Sequence, residues 1–265
     1  MPSLDTITAA LRAIAPLELA ADWDSVGLLV GQSSHHPIER VLTCLTLSPD
    51  VAKEATERKA GLVVTHHPLP FRPIGRLTDD STTGRVLLSL LSTGVAVYSP
   101  HTAWDSAAGG INDQLAQLCG LQGVRPIKPH AELHLAGVGR MGHAADSMSI
   151  GQLIGTLTSA LDIDGCHIVG EASKPAGLVG IACGSGGDLV DEVRGAGCTT
   201  MVTGEIRLHA AVEARASGVA VVVVGHHASE RFAMETLAKR LAEAVPGLDV
   251  FPSGVEADPL AWVAR

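Results

Sequence analysis

The sequence has no excess of basic residues. Its 19 lysines and arginines are outnumbered by 28 aspartates and glutamates, which gives a formal charge of −9 at neutral pH. A duplex-binding surface usually carries surplus positive charge because it must neutralise phosphates. Nucleic acid is therefore a poor first hypothesis for the partner, although the count does not address a local basic patch.

The sequence also lacks a long apolar run. The longest strongly apolar stretch covers residues 219–224, which is far too short to span a bilayer. The first sixteen residues contain Asp5 and Arg12 and have no apolar core of the kind found in secretory signals. Their apolar residues recur at helical spacing behind Ser3, which predicts an N-capped helix. We expect a cytoplasmic protein with no membrane partner.

Cysteine is sparse, and no two cysteines form a C-x-x-C pair. The five cysteines are Cys44, Cys119, Cys166, Cys183 and Cys198. Their odd number and their spacing favour buried, small apolar side chains in a reducing compartment rather than a disulfide framework or a zinc ribbon.

The usual glycine-rich phosphate motifs are absent as well. Gly184-Ser185-Gly186-Gly187 follows a predicted strand and precedes a predicted helix, so its amides could cradle a phosphate. The run matches neither the dinucleotide fingerprint nor the P-loop, which requires a lysine. A tight structural turn is the favoured interpretation.

Apolar residues make up 46% of the chain and charged residues 18%, which is enough for a full core. Short apolar segments alternate with amphipathic ones. Strands are predicted at 27–30, 41–47, 62–65, 95–99, 133–139, 167–170, 178–183, 200–203, 219–224 and 248–251. Helices are predicted at 4–14, 50–59, 83–91, 111–118, 150–161, 188–195, 207–216 and 230–244. This alternation predicts an α/β fold with parallel or mixed sheets covered by helices.

The pattern is interrupted by glycine and proline at residues 122–130, where we predict a domain boundary. The segments 62–67 and 221–227 are both apolar strands that end in a histidine pair, which suggests two related halves. We predict a first α/β domain of residues 1–128 plus 231–265 and a second of residues 129–230.

Chemically active side chains follow three of the predicted strands. One strand is followed by His66 and His67, the next by a segment that ends in Asp105, and a later one by His226 and Glu230. Open α/β sheets bind ligands at the carboxyl ends of their strands, and histidine and aspartate are costly to bury without partners. Mixed imidazole and carboxylate groups suit Zn²⁺, Mn²⁺, Fe²⁺, Co²⁺ or Ni²⁺. The alternative is that these histidines are exposed loop residues or make capping hydrogen bonds.

A second histidine pair provides an internal comparison. His35 and His36 precede Pro37, but no strong strand leads into them. Serines and proline surround the pair, which favours a surface turn rather than a metal site.

Several motifs, in order along most of the chain, resemble those of the NIF-three-like dinuclear-metal proteins, often labelled GTP cyclohydrolase I type 2 homologues. The matching segments are WDSVGLLVG at 23–31, THHPL at 65–69, Y--HTAWD at 98–105, GGINDQLA at 109–116, TGE at 203–205 and GHHASE at 225–230. The resemblance implies two related α/β domains with mixed sheets, a metal site at the domain interface and a ring-shaped homo-hexamer.

The same resemblance implies a pair of neighbouring divalent ions in each chain. Carried over by position, His67 and Asp105 would bind one ion, His66 and His226 the other, and Glu230 would bridge them. Departures from the family pattern concern other positions. Trp104 replaces an aliphatic residue and is expected to narrow the pocket, Glu205 replaces an aspartate, and His209 stands where a histidine pair is common.

Two divalent ions would bring more positive charge than two carboxylates return, which favours an anionic small-molecule substrate. Divalent ions activate water, so hydrolysis of a nucleotide or another phosphate-bearing compound is the expected reaction. His101 is the candidate catalytic residue, as a general base or as an orienting group. Its alternative role is a loop hydrogen bond. A non-catalytic, ring-shaped metal-binding scaffold or regulator remains the rival function.

Overall fold

The computed structural model describes residues 1–31 and 37–261, so His35 and His36 lie outside the described residues. The helices are α1 (Leu4–Ile14), α2 (Pro49–Glu57), α3 (Thr82–Thr93), α4 (His101–Ser106), α5 (Ile111–Leu118), α6 (Ile150–Leu161), α7 (Val190–Gly195), α8 (Leu208–Ala216), α9 (His226–Glu230) and α10 (Ala233–Ala244). The strands are β1 (Gly27–Val30), β2 (Arg40–Cys44), β3 (Leu62–Thr65), β4 (Ala96–Ser99), β5 (Gln122–Arg125), β6 (Lys128–Pro129), β7 (Gly137–Val138), β8 (Arg140–His143), β9 (His167–Val169), β10 (Leu178–Ala182), β11 (Thr200–Thr203), β12 (Ala220–Val223) and β13 (Asp249–Pro252). Within the described ranges, no helix is both long enough and apolar enough to cross a membrane.

The chain forms two compact α/β units. Unit 1 consists of Met1–Trp104 and Ala233–Ala257, and unit 2 of Asp105–Phe232 and Asp258–Arg265. The predicted α/β class with mixed sheets and two domains is thereby confirmed.

Unit 1 is built on a five-stranded sheet in the order β1-β4-β3-β2-β13. Strands β13, β2, β3 and β4 are parallel, and β1 pairs antiparallel with β4. Valines of β3 and β4 are fully buried and pack with helices α2 and α3 in one apolar core. Because β3 and β4 are parallel neighbours, the segments that follow them begin at the same edge of the sheet.

Unit 2 is built on a six-stranded sheet in the order β5-β8-β10-β11-β12-β9. Its centre, β10-β11-β12, is parallel, whereas the outer strands pair antiparallel. Strands β11 and β12 are buried along their whole length, as expected for parallel strands covered on both faces. The carboxyl ends of these three central strands therefore meet at one edge.

The division between the units differs from the predicted domain boundary. The predicted first domain runs to residue 128, whereas the chain first passes from unit 1 to unit 2 between Trp104 and Asp105. The reason is that α5 packs on β8 and β10, and β5 pairs with β8, so both belong to the second sheet. The predicted placement of the metal site at a domain interface stays a prediction.

The strand predicted at 133–139 is wrong. Leu135 is 79% exposed, and only the two-residue β7 forms in this stretch. The sheet strand is the following segment, β8, whose polar sequence gives no apolar signal. Its first residue, Arg140, is fully buried and donates to the Asp113 carboxylate and to the carbonyls of four neighbouring residues. This satisfied guanidinium allows a polar strand to lie inside unit 2.

Candidate metal centre

Unit 1 brings three histidines together where β3 and β4 end. His66 is fully buried, and the Nδ1 atom of His67 lies 2.8 Å from the Thr46 hydroxyl oxygen. The ring centroid of His66 is 5.2 Å from that of His67 and 5.2 Å from that of His101. One nitrogen from each of the three rings lies within 4.8 Å of the others. Imidazoles this close can share a divalent ion.

His101 is held by a carboxylate that lies far away in the sequence. Its Nδ1 atom is 2.8 Å from both oxygens of Asp24, and the Thr102 hydroxyl donates to Asp24 at 2.5 Å. Burial raises the pKa of Asp24, but hydrogen bonds from His101 and Thr102 outweigh it and leave that pKa below its usual value. The φ of His101 is +29°, a conformation that residues other than glycine rarely adopt. Such strain is found mostly at functional sites.

In unit 2, the imidazole of His226 lies between two carboxylates. Its Nε2 atom is 3.1 Å from Glu230, which is almost completely buried, and its Nδ1 atom is 3.3 Å from the more exposed Glu205. The hydrogen bond with Glu230 raises the pKa of His226, burial opposes it, and the charges of both carboxylates add to it. The resulting pKa is about 9. The substitution noted at Glu205 thus places a longer carboxylate against His226, where it also accepts from Ser185.

Asp105 is positioned by a small buried network in unit 2. The side-chain amide of Asn112 donates to the Asp105 carbonyl at 3.0 Å and accepts from the Cys183 amide at 2.9 Å. The Cys183 thiol donates to the Asp105 carboxylate at 3.3 Å. Burial raises the pKa of this thiol well above its usual value, and the charges of Asp105 and Glu230 add to the effect. The network fixes the direction of a predicted ligand, as outer-shell groups do in metal sites.

Removing the Asn112 side chain should therefore weaken metal binding without removing a ligand. Asn112→Ala leaves the buried amide of Cys183 without its acceptor and loosens Asp105. We expect metal affinity to fall on the order of 10-fold, measured by competition with a chelator of known affinity. Gln117→Ala, an exposed change on the same helix, is the control and should leave affinity unchanged. Equal losses in the two variants would contradict the positioning role.

The unit 2 residues fit a divalent ion by their chemistry and by the space around them. The charges of Asp105 and Glu230 both act on the buried Cys183 thiol, so two carboxylates lie close to the same side chain. A Cβ atom at Gly184, whose φ is +57°, would overlap the Glu230 carboxylate oxygen. Glycine here keeps room for that carboxylate beside His226. Glu230 is buried and Asp105 is half-buried, and a divalent ion would offset the negative charge of both.

The glycine run 184–187 is a packed turn. The Gly184 amide donates to the Ser229 hydroxyl, and the Gly187 amide donates to the Glu205 carbonyl. A Cβ at Gly187 would press against the backbone of residues 205 and 206. Because both amides already have partners, these contacts favour the structural-turn interpretation over a phosphate cradle.

The structure also locates Trp104, His209 and the five cysteines. Trp104 is fully buried in unit 1, where the Arg240 guanidinium lies 5.1 Å from the ring centroid. The expected narrowing of the pocket by this side chain stays a prediction. His209 is exposed on α8. Cys44, Cys119, Cys183 and Cys198 are buried, as the sequence predicts, and Cys166 is partly buried.

A cavity of about 680 Å³ lies in unit 2 at the carboxyl ends of the central strands. Its walls come from the segments after β10, β11 and β12, and they include Glu205 and His226. Cavities of roughly 300–1,000 Å³ are typical of small-molecule sites. The predicted ligand His226 therefore faces a space that a substrate could occupy.

Comparisons with known proteins agree with the motifs. A family model described as Duf34/NIF3 (NGG1p interacting factor 3) matches residues 2–259. A GTP cyclohydrolase 1 type 2 homolog from Clostridium perfringens is 32% identical over 228 residues, which cover 86% of this chain and 86% of that protein. NIF3-like protein 1 from Drosophila melanogaster is 32% identical over 266 residues, covering 98% and 89%. The crystal structure of a Bacillus cereus protein related to NIF3 matches 99% of both chains with a TM-score of 0.91 and 21% identity, a likeness of fold.

Proposed function

Because the chain belongs to the Duf34/NIF3 family, we propose that it is a dinuclear divalent-metal protein. We further propose that it is a metal-dependent hydrolase of a nucleotide or another phosphate-bearing substrate. The printed name of its bacterial relatives, GTP cyclohydrolase 1 type 2 homolog, suggests a nucleotide. The metal would be Zn²⁺, Mn²⁺, Fe²⁺, Co²⁺ or Ni²⁺, since these ions accept mixed nitrogen and oxygen ligands.

The proposed ligands are His66, His67, Asp105, His226 and Glu230. In unit 1, the clustered ring nitrogens support the two histidines. In unit 2, the contact of Glu230 with His226 and the network around Asp105 support the other three. Divalent ions, when bound, act as Lewis acids and lower the pKa of water.

The observation that carries the enzymatic proposal is the cavity with His226 in its wall. A metal ion coordinated only by protein groups, with no cavity beside it, would be typical of a structural or sensory site. A cavity of small-molecule size beside a proposed ligand suits substrate binding. The non-catalytic scaffold is therefore the less favoured function.

His101 is the proposed general base. Asp24 stays ionised because its pKa lies below the usual value, so it accepts from an N–H at Nδ1 of His101. The other ring nitrogen, Nε2, then has the lone pair that can take up a proton. Asp24 would also stabilise the imidazolium that forms, as carboxylates do in His–carboxylate pairs.

Turnover screening of the metal-reconstituted protein tests this function. The panel should contain nucleoside triphosphates, nucleoside monophosphates and simple phosphodiesters, with metal-stripped protein as the blank. His101→Asn should lower the rate on the order of 100-fold or more while leaving metal content unchanged. Loss of metal from His101→Asn would make His101 a ligand instead. Fully metallated protein that turns over no member of the panel would favour the scaffold.

We also propose that the chain assembles as a homo-hexameric ring, as the family resemblance implies. Closed rings are a common form of symmetric assembly. Light scattering at micromolar concentration should then report about six times the chain mass of 27.3 kDa. A monomer under these conditions would contradict the assembly but not the metal site.

A further inference from the structure

The cavity in unit 2 has walls of a defined chemistry. Aliphatic side chains form much of the lining, among them Ile163, Ile206, Val223 and Leu260. An occupant must therefore present an apolar body to them, because apolar surface gains most by leaving water in such a site.

The charged groups that line the cavity are mostly acidic. The carboxylates are Asp188, Glu205 and Asp258, and the cationic groups among the described lining residues are the Arg207 guanidinium and the His226 imidazole, which already contacts Glu205. Arg207 is largely exposed and lies 3.8 Å from the Asp188 carboxylate, so its charge is partly offset. A phosphate placed here would meet more carboxylates than cations, which is unfavourable. The Gly184 and Gly187 amides of the neighbouring glycine turn also have hydrogen-bond partners already.

The Glu205 carboxylate in the cavity wall can accept hydrogen bonds from a ligand. Glu205 accepts from the Ser185 hydroxyl at 2.8 Å through one oxygen, and its other oxygen faces Nδ1 of His226. More than half of its side chain remains exposed, and it lines the cavity. Carboxylate oxygens each accept more than one hydrogen bond, so an amino group of a ligand can bind here.

We infer that this cavity binds the organic body of the substrate, an apolar group that carries N–H donors and no negative charge. The phosphate of the substrate lies outside the cavity. For a nucleotide, the cavity would hold the base, with an exocyclic amino group donating to Glu205. This inference rests on the proposed function, because it identifies which part of that substrate adjoins His226.

Methyl NMR of the whole chain as purified shows where a ligand binds. The result does not depend on whether the protein turns the ligand over. The probes are adenosine, purine riboside, which lacks the amino group, and ribose 5-phosphate, which lacks the base. The Ile163 and Ile206 methyl signals, assigned with isoleucine-to-valine variants, report on the cavity, and the buried Ile150 of α6 is the reference. Adenosine should shift both cavity methyls, with purine riboside binding roughly 5- to 10-fold more weakly.

A matched pair of variants tests the role of Glu205. Glu205→Gln should weaken adenosine binding by roughly 5- to 10-fold and remove most of its advantage over purine riboside. Glu213→Gln, an exposed change on α8, should alter neither. The inference is overturned if ribose 5-phosphate shifts the cavity methyls as adenosine does. It is also overturned if neither nucleoside shifts them at millimolar concentration, or if the two variants behave alike. Nucleoside binding in the cavity, combined with no turnover of any nucleotide or phosphodiester of the panel, would uphold the inference and count against the proposed hydrolase.

Discussion

Replacing Glu230 with glutamine is expected to empty both metal positions together. A bridging carboxylate gives one oxygen to each ion and offsets their mutual repulsion, whereas glutamine has no charge and only one good acceptor. The affinity loss should exceed the roughly 10- to 100-fold that outer-shell changes cause. Metal content after dialysis, measured by elemental analysis, should fall from two ions per chain to nearly none.

Two further variants make this expectation specific. His67→Ala should mainly empty one position, because one imidazole serves one ion. His134→Ala, at an exposed loop position, should leave both positions full. All three variants should keep their fold by circular dichroism, since burial of the sheets supplies most of the stability. If Glu230→Gln retains two ions, Glu230 is not the bridge, and Asp105 is the next carboxylate to test.

Metal affinity is expected to rise steeply with pH because His226 must lose a proton to bind. In the metal-free protein its pKa is raised to about 9, chiefly by its hydrogen bond with Glu230. Because its pKa is raised, the protonated form of His226 stabilises the folded state. This contribution to folding stability is fully present at pH values below the pKa of histidine in the unfolded chain, and it is lost as the pH rises through about 9. Metal binding competes with that proton. Affinity should therefore increase about 10-fold per pH unit from pH 7 towards 9.

Two measurements check this linkage. NMR titration of the metal-free protein should show His226 titrating near pH 9, and Glu230→Gln should move its pKa down towards the ordinary value of 6.5. Calorimetry in two buffers of different ionisation enthalpy should show about one proton released per ion bound at the His226 position. Affinity that does not change between pH 7 and 9 would refute the assignment of His226 as a ligand that is protonated at rest.

Much of the fold follows from local signals in the sequence. Helix α1 begins and ends as predicted, and its cap residue Ser3 accepts from the Thr6 amide. Helix α6 carries a full capping box between Ser149 and Gln152. Strands β3 and β11 are continuous apolar runs and lie where they were predicted. These elements can be predicted from the sequence because the spacing of their apolar residues matches the secondary structure that they form.

The elements that were missed depend on contacts distant in sequence. Strand β8 is polar and is stabilised by the ion pair of Arg140 with Asp113, which no periodic pattern reveals. Leu133 and Leu135 looked like a strand but remain exposed. One helix was predicted from residue 230 onward, whereas α9 ends at Glu230 and α10 begins at Ala233.

The candidate site also has some features that the sequence predicts and others that depend on contacts between distant residues. The positions of these histidines and carboxylates just after strands could be predicted, because parallel strands of one sheet end at the same edge; His66 and His67 follow a strand of the unit 1 sheet, and His226 and Glu230 follow a strand of the unit 2 sheet. The bond from Asp24 to His101 was not visible, since 77 residues separate the two. Asp24 lies within a quoted motif, so the motif marked the residue but not its partner. Cys183 was interpreted only as a buried apolar side chain, and its burial is confirmed, but its thiol also donates to Asp105.

Each chain is proposed to hold two divalent ions, and counting the bound metal is the direct test. Protein stripped by chelator, reconstituted at pH 8 with Zn²⁺ or Mn²⁺ and freed of excess metal should contain two ions per chain by elemental analysis. Native mass spectrometry should show the same two ions on each chain. A chain that retains no ion, or only one at saturating metal, would contradict the dinuclear account.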